Sequence, residues 1–320
     1  MKSELVESNP FSKHYNKTSR FYTFKKAVLP NWDLYIIFLP VLVYFIIFKY
    51  LPMYGVQIAF KDFSPIRGYL GSSWVGLKHF NRFFNSYYFW RLIRNTLGIS
   101  LYQLIASFPA PIILALVINE VKNKHINKAV QMVTFAPHFI STVVLVGMVT
   151  MFLSPRGVIN NLISLLGMKR ISFMTEPAWF KTIYVFSGIW HNVGWNSIVY
   201  VAALSGISLE LYEAAIVDGA NKFQRLIHIS LPGIMPTAII LLIMQTGKIM
   251  NIGFEKIFLM QNDLTKSTSD VIRTYVYQVG LLDAQHSFAT AVGLFNSVIN
   301  FILIVTVNKI SKKVSETSLW

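Results

Sequence analysis

Six long apolar stretches restrict this sequence to folds that a membrane can hold. They cover approximately residues 34–53, 97–118, 129–153, 182–204, 234–247 and 287–308. A helix needs roughly 20 mostly apolar residues to cross the hydrocarbon core, and there every backbone polar group must be satisfied internally. The composition agrees, since 54% of the 320 residues are hydrophobic and only 13% are charged. We therefore predict an all-α membrane protein with six transmembrane helices.

The predicted domain organisation is one membrane domain between two tails. Residues 1–33 are polar and basic, too long and too charged for a cleaved signal peptide. Residues 34–308 form the six-helix domain, and residues 309–320 form the C-terminal tail. Because the number of spans is even, we expect both tails on the same side of the membrane.

The sequence lacks the residues that several classes of chemistry require. There is no cysteine, and therefore no disulfide, thiolate metal site or cysteine nucleophile. Gly247-Lys248 lacks the flanking residues of a phosphate-binding loop, so we do not expect ATP hydrolysis by this chain. No catalytic or metal-binding motif is present. The net charge of +15 is scattered along the chain, which argues against nucleic-acid binding.

The segment 208–232, between the fourth and fifth spans, has the pattern of two short helices joined by a bend. Ser208 can cap the first helix, whose early acidic residues suit the helix dipole. Gly219 permits the bend, and Pro232 is expected to end the second helix. In the second helix we expect Phe223, Leu226 and Ile227 to point inward and Lys222 and Arg225 to point outward.

The same segment fills every position of a longer signature. Glu213-Ala214-Ala215 is followed after three residues by Gly219 and after nine more by Ile229-Ser230-Leu231-Pro232. This spacing resembles the signature of permease subunits in binding-protein-dependent ABC importers. A fit over about 20 positions favours that interpretation over a merely structural hairpin. The positions that the resemblance assigns to ATPase coupling are Glu213, Ala214, Ala215, Asp218, Gly219, Ala220, Ile229, Leu231 and Pro232.

The resemblance extends from about residue 32 to the C-terminus. The chain is similar to permeases of Gram-positive bacteria that import complex plant oligosaccharides. Within that branch it looks like the permease of an importer for pectic oligosaccharides, derived from rhamnogalacturonan or galacturonan. The stretches that carry this likeness are residues 90–92, 95–97, 108–116, 137–141, 211–215 and 289–295.

The resemblance implies a set of partners and a location. It implies the type I ABC importer permease fold, with a cytoplasmic coupling helix within residues 208–232. The partners would be a second homologous permease in a heterodimer, a cytoplasmic ABC ATPase dimer and an extracellular solute-binding lipoprotein. The ATPase would bind ATP and magnesium, so this chain would be a transport subunit without a cofactor. It would lie in the lipid of a bacterial cell membrane as a multi-pass protein with both termini cytoplasmic.

Polar residues within spans are costly and mark a candidate substrate pathway. His191 and Trp195 lie one turn apart, and an aromatic plane beside an imidazole suits a sugar ring. For Asn192 and Asn196, helix-to-helix hydrogen bonds are an alternative role. The pathway candidates are His191, Asn192, Trp195, Asn196, Gln245, Lys248, Asn251, Asn296 and Asn300.

Lys248 has three possible roles. It could bind a uronate carboxylate, pair with Glu255, or extend to the membrane interface. If the fifth helix continues, Gln245, Lys248, Asn251 and Glu255 share one face of it. We interpret His138 as structural. The prolines at 109, 111 and 137 predict kinked or interrupted helices.

Basic residues are frequent in the segments expected outside the cell. They could concentrate an anionic oligosaccharide, contact the binding protein, or contact lipid headgroups. Three other functions remain as alternatives: an ABC permease for a different oligosaccharide, an ion-driven carrier of sugars and a membrane enzyme. The spans lack the carboxylates that an ion-driven carrier requires and the nucleophiles that an enzyme requires. The outer basic residues are Lys61, Arg67, Lys78, Arg82, Arg91, Arg94, Lys169, Arg170 and Lys256.

Overall fold

The computed structural model describes residues 32–315. Residues 1–31 of the predicted N-terminal tail and residues 316–320 of the predicted C-terminal tail therefore lie outside the described residues. The chain divides into two units, Met1–Val56 and Gln57–Trp320.

The first unit contains most of a helix that runs from Trp32 to Phe60. Its parts are α1 (Trp32–Phe45), a π-helical turn (Ile46–Tyr50), α2 (Leu51–Met53) and a 3₁₀ turn (Tyr54–Phe60), of which the last continues into the second unit. The side chains are apolar all round, as in a helix surrounded by lipid. Pro52 lies two residues after the end of the wide π turn, which makes room for a ring that would otherwise crowd the preceding carbonyl groups.

The second unit begins with a small substructure that precedes the next span. Its elements are β1 (Lys61–Asp62), α3 (Gly68–Gly71), β2 (Ser73–Trp74) and α4 (Lys78–Phe84). The two strands are antiparallel, with Lys61 opposite Trp74. Lys78 donates to Asp62 (2.7 Å), and Nε2 of His79 lies 3.1 Å from the carbonyl oxygen of Lys61. These bonds hold α4 against the strands.

The remaining elements are almost entirely helical. They are α5 (Phe89–Ser107), α6 (Pro109–Glu120), α7 (Lys124–Phe135), a 3₁₀ turn (Ala136–Phe139), α8 (Thr142–Phe152), α9 (Val158–Leu165), α10 (Pro177–Ser205), α11 (Leu209–Val217), α12 (Lys222–Arg225), a π turn (Leu226–Ser230), α13 (Leu231–Thr246), α14 (Phe254–Met260), α15 (Lys266–Ser269), α16 (Ile272–Tyr277), a π turn (Gln278–Leu282) and α17 (His286–Ser315).

Within residues 32–315, four helices are long and apolar enough to cross a membrane, and two bent helix pairs raise the number to six if each counts as one span. The pair that contains Pro137 bends by 104° where the 3₁₀ turn meets α8, as the proline predicted. Pro109 and Pro111 lie at the start of α6, and α5 and α6 still form one 32-residue span. The predicted all-α fold with six spans is confirmed in this form.

α10 is the central helix of the second unit. It contacts α5, α6, α7, α13 and α15. Gly194 permits one of these contacts, because a Cβ there would overlap the carbonyl group of Thr134 at the end of α7. Towards its C-terminal end, α10 packs on α6 and α13 through a buried cluster of Ala115, Leu116, Tyr200, Leu204, Ile234 and Ala238. In the chain, Tyr200 and Leu204 of this cluster precede the segment 208–232, and Ile234 and Ala238 follow it.

Candidate coupling segment and substrate-facing residues

The helix α11 begins and ends with strong local signals. The side chain of Ser208 accepts a hydrogen bond from the backbone N–H of Glu210 (3.2 Å), as predicted for an N-cap. At the other end Gly219 has a φ of +78°, a conformation that L-residues rarely adopt. The N–H of Ala220 donates to the carbonyl of Ala215 (2.8 Å), and that of Gly219 donates to Ile216 (3.1 Å). These two bonds form a Schellman motif, which requires a residue such as glycine at position 219.

The second helix starts two residues later with a capping box. The side chain of Asn221 accepts from the N–H of Gln224 (2.9 Å), and the side chain of Gln224 accepts from the N–H of Asn221 (2.8 Å). The helix then runs without a break from Lys222 to Thr246, so the prediction that Pro232 ends it is wrong. The π turn Leu226–Ser230 precedes Pro232 as another precedes Pro52, and it widens the helix around the proline ring.

The segment is fixed to the spans on both sides. The hydroxyl groups of Tyr212 and Ser230 lie 2.9 Å apart, and Ser230 is buried. Gly233 packs directly on Ile207, because a Cβ at position 233 would overlap the end of that side chain. Leu226 and Leu231 pack against the cluster formed by α6, α10 and α13. The two short helices therefore form one rigid body with the ends of α10 and α13.

The outer face of this segment is open. Val217 is 87% exposed and Phe223 is 68% exposed, so the predicted inward position of Phe223 is wrong. Glu213 is also exposed, and none of the ion pairs found within residues 32–315 involves it. A cleft of about 320 Å³ lies between the helices, lined by Ala215, Asp218, Gly219, Ala220, Gln224, Arg225, His228 and Ile229. Apolar side chains and a carboxylate at the rim of a rigid cleft can receive another protein.

The polar face of α10 forms a network with the turn at Pro137. His191 Nε2 donates to the carbonyl of Ile140 (2.9 Å), and Asn192 Nδ2 donates to the other ring nitrogen of His191 (3.3 Å). His138 Nδ1 donates to Asn192 Oδ1 (3.1 Å). Both ring nitrogens of His191 are thus engaged within the protein. The imidazole beside the aromatic ring of Trp195 is that of His138, stacked at 4.5 Å and 7°.

The predicted residues have these contacts in the structure. His138, which we interpret from the sequence as structural, forms a stacked pair with the half-exposed Trp195. Asn192 makes the helix-to-helix bonds that were its alternative role. Asn196 is exposed, and no hydrogen bond to it is found among the described residues. Pro137 places His138 on a 3₁₀ turn, and sequence offers no signal for a contact with a residue so far along the chain.

The predicted common face of Gln245, Lys248, Asn251 and Glu255 does not exist. α13 ends at Thr246, and the backbone runs through turns until α14 begins at Phe254. Among the described residues, no ion pair joins Lys248 to Glu255, and Gln245 and Lys248 are both exposed. Where α13 ends, Gly247 packs tightly against Ile304 of α17.

Asn296 and Asn300 of α17 make hydrogen bonds to the chain that follows α13. Asn300 Oδ1 accepts from the N–H of Met250 (3.0 Å), and Asn296 Nδ2 donates to Asn251 Oδ1 (3.2 Å). Ser100 of α5 donates to the carbonyl of Ile249. The structure thus brings Asn251, Asn296 and Asn300 together, with buried side chains at the two α17 positions.

Several of the outer basic residues already have partners. Lys78 pairs with Asp62, and Arg91 pairs with the buried Asp270 (2.8 Å). Burial raises the pKa of Asp270 from its usual value, which the bond from Arg91 partly offsets. Lys256 donates to the carbonyl of Tyr184 (2.7 Å), and its burial lowers its pKa to about 7. Lys61 is also buried. These four are structural and do not form a free basic surface.

The spans and the exposed rigid segment define a helical membrane protein built to receive a partner. Residues 107–316 match the family described as "Binding-protein-dependent transport system inner membrane component". The chain therefore belongs to this family. It is a permease, a transport subunit and not an enzyme, and the ion-driven carrier fits less well.

Two relatives from Bacillus subtilis (strain 168) match almost the whole chain. Protein LplB is 46% identical over 288 residues, which cover 90% of this chain and 91% of LplB. The polygalacturonan/rhamnogalacturonan transport system permease protein YteP is 40% identical over 90% of each chain. The predicted membership in the oligosaccharide permeases is thus confirmed.

Solved structures of alginate transporters have the same fold. A chain in the crystal structure of a bacterial alginate ABC transporter, in complex with an alginate pentasaccharide-bound periplasmic protein, has a TM-score of 0.86 and 43% identity, covering 92% of this chain and 99% of its own length. A second structure, of an ABC transporter that imports the acidic polysaccharide alginate, has a TM-score of 0.85 and 44% identity, covering 93% and 100%.

Proposed function

We propose that this chain is one membrane-spanning subunit of an ATP-driven importer for acidic plant-wall oligosaccharides, with pectic fragments as the favoured substrates. The observation that carries the ATP-driven mechanism is the segment 208–232, a rigid body with an open face and free Glu213. The substrate class is supported by relatives of 40–44% identity, since polygalacturonan, rhamnogalacturonan and alginate all contain uronates.

The proposed partners follow from this role. A cytoplasmic ABC ATPase dimer, which binds ATP and magnesium, contacts the cleft beside Gly219. A second, homologous permease completes the translocation path, and an extracellular binding protein delivers the sugar. The presence of a substrate-loaded periplasmic protein in the alginate transporter complex supports this last partner. The protein is placed in the bacterial cell membrane, with both termini on the cytoplasmic side together with the coupling segment.

In the proposed mechanism, closure of the ATPase dimer moves the coupling segment, and the spans follow. The Tyr212–Ser230 bond and the Gly233–Ile207 contact prevent the segment from moving independently of α10 and α13. A rigid-body movement of this kind is one of the ways in which domains switch between two arrangements. On the substrate side, the stacked rings of His138 and Trp195 offer an apolar plane and a ring nitrogen to a sugar.

Uptake of labelled oligosaccharides by cells with a Glu213→Ala variant tests the proposal. We expect uptake to fall strongly while the amount of protein in the membrane is unchanged. Glu176→Ala is the matched control, because Glu176 is also exposed but lies at the opposite end of α10. Normal uptake by Glu213→Ala would contradict the coupling role. Uptake of neutral but not acidic oligosaccharides by the wild type would contradict the substrate class alone.

A further inference from the structure

Two basic side chains from neighbouring helices are close enough to interact electrostatically at the end of α10 that is remote from the coupling segment. Lys181 lies in the first turn and a half of α10, and its Nζ reaches across to α5. A Cβ at Gly98 of α5 would lie only 3.0 Å from that Nζ, so the glycine makes room for the ammonium group. Arg94 precedes Gly98 by one helical turn and is therefore on the same side of α5. The two positive charges repel each other.

These two charges are not compensated within the described part of the chain. The ion pairs found there use Asp62, Asp263 and Asp270, and none of them includes Arg94 or Lys181. The contrast with Arg91, one turn before Arg94, is informative, because Arg91 is neutralised by the buried Asp270. Both residues lie within helices that are candidate membrane spans, and charged side chains inside such helices commonly mark functional sites.

The direction of Lys181 argues against simple extension to the lipid headgroups. The short helix α15 bonds both α5 and α10, since Asn95 donates to the carbonyl of Ser267 and Thr268 donates to that of Pro177. Asn95 and Pro177 therefore lie at a similar depth, and so do Gly98 and Lys181, three and four residues further on. The lysine thus extends sideways onto α5 instead of towards the end of the helix, as a snorkelling lysine would.

We propose that Arg94 and Lys181 together bind a carboxylate of the incoming oligosaccharide. This inference rests on the proposed uptake of acidic sugars. Guanidinium and ammonium groups side by side are suited to a carboxylate, because both of its oxygens can accept charge-assisted hydrogen bonds. A bound uronate would also relieve the repulsion between the two cations. Lys256 of α14 is not included, because its ammonium already donates to the carbonyl of Tyr184 of α10.

The test compares uptake of an oligogalacturonide with uptake of the same oligomer after reduction of its carboxyl groups. The assembled transporter and its binding protein are reconstituted in vesicles of phosphatidylcholine. We expect R94Q/K181Q to lower the ratio of acidic to neutral uptake at least about tenfold, since a lost hydrogen bond between charged groups has effects of this size. The control R67Q/K169Q removes two exposed positive charges elsewhere and should leave the ratio unchanged.

The variant R94K/K181R keeps both charges and should retain most of the wild-type ratio. An unchanged ratio in R94Q/K181Q, or an equal loss in R67Q/K169Q, would overturn the proposal, the latter in favour of a diffuse electrostatic attraction. A loss for both sugars that appears only when anionic phosphatidylglycerol is added would identify a lipid phosphate as the ligand and would also overturn it. A wild-type transporter that imports only the neutral oligomer would instead refute the proposed acidic substrate.

Discussion

Replacing Gly219 with alanine isolates the backbone geometry that ends α11. Gly219 has a φ of +78°, and a Cβ added there would meet no atom within 4 Å. The substitution therefore adds backbone strain without a steric clash, at a cost of about 1–2 kcal/mol for an L-residue in the left-handed region. Free energies of this size change an equilibrium constant by a factor of about 5–30. We expect the assembled permease pair in nanodiscs to bind its ATPase more weakly by that factor.

Gly206→Ala provides a matched control for this measurement. Gly206 also follows a helix, but its φ is −85°, and its added Cβ would make only an ordinary contact with the carbonyl of Ala203 (3.4 Å). Gly219→Asn should lose less affinity than Gly219→Ala, because asparagine tolerates the left-handed region better. The dissociation constants of the three variants can be compared directly. If Gly219→Ala bound the ATPase as tightly as Gly206→Ala, the turn would not be required for docking.

Three further predictions concern packing, protonation and substrate contact. Gly233→Ala should lower the Tm in detergent through overpacking of about 1–3 kcal/mol, and Ile207→Ala should restore part of it. Because burial lowers the pKa of Lys256 to about 7, the unfolded chain holds that proton more tightly. The cost to the folded state is therefore full below pH 7 and decreases as the pH rises towards the ordinary value of 10.5. The Tm of Lys256→Met should exceed that of the wild type at pH 7, and the difference should shrink at higher pH. Trp195→Leu should reduce sugar uptake about 2–10-fold through the lost ring contact, while a Leu substitution at the lipid-exposed Trp90 should not; equal uptake in both variants would remove Trp195 from the pathway.

Sequence predicted the local structure of the coupling segment well, because its signals act over a few residues. The cap at Ser208 and the bend at Gly219 are both as expected. The prediction that Pro232 ends the second helix was wrong. A proline usually ends a helix, whereas here the preceding π turn accommodates it. Such a turn depends on the packing of the whole span and leaves no short pattern in the sequence.

The substrate-facing residues were harder to predict, because contacts between distant helices determine them. The hydrogen bond from His138 to Asn192 joins residues 54 positions apart. The expected face through Lys248 assumed a continuing helix, but α13 ends at Thr246, where Gly247 packs against Ile304 of α17. Periodicity within one helix cannot detect either contact. The sequence likewise placed Arg94 among many outer basic residues without showing that it lies close to Lys181.

Movement of the coupling segment is expected to carry the substrate-facing residues with it. α10 has 29 residues and no internal proline beyond its first turn, so it is about 43 Å of continuous helix at 1.5 Å per residue. The turn at Pro137 is locked to α10, because Gly194 packs on Thr134 and His191 bonds Ile140. The stack of His138 on Trp195 therefore lies within one rigid body that includes α11. ATPase closure would then reorient the stacked pair as a unit, and access to it would change at contacts with the second permease.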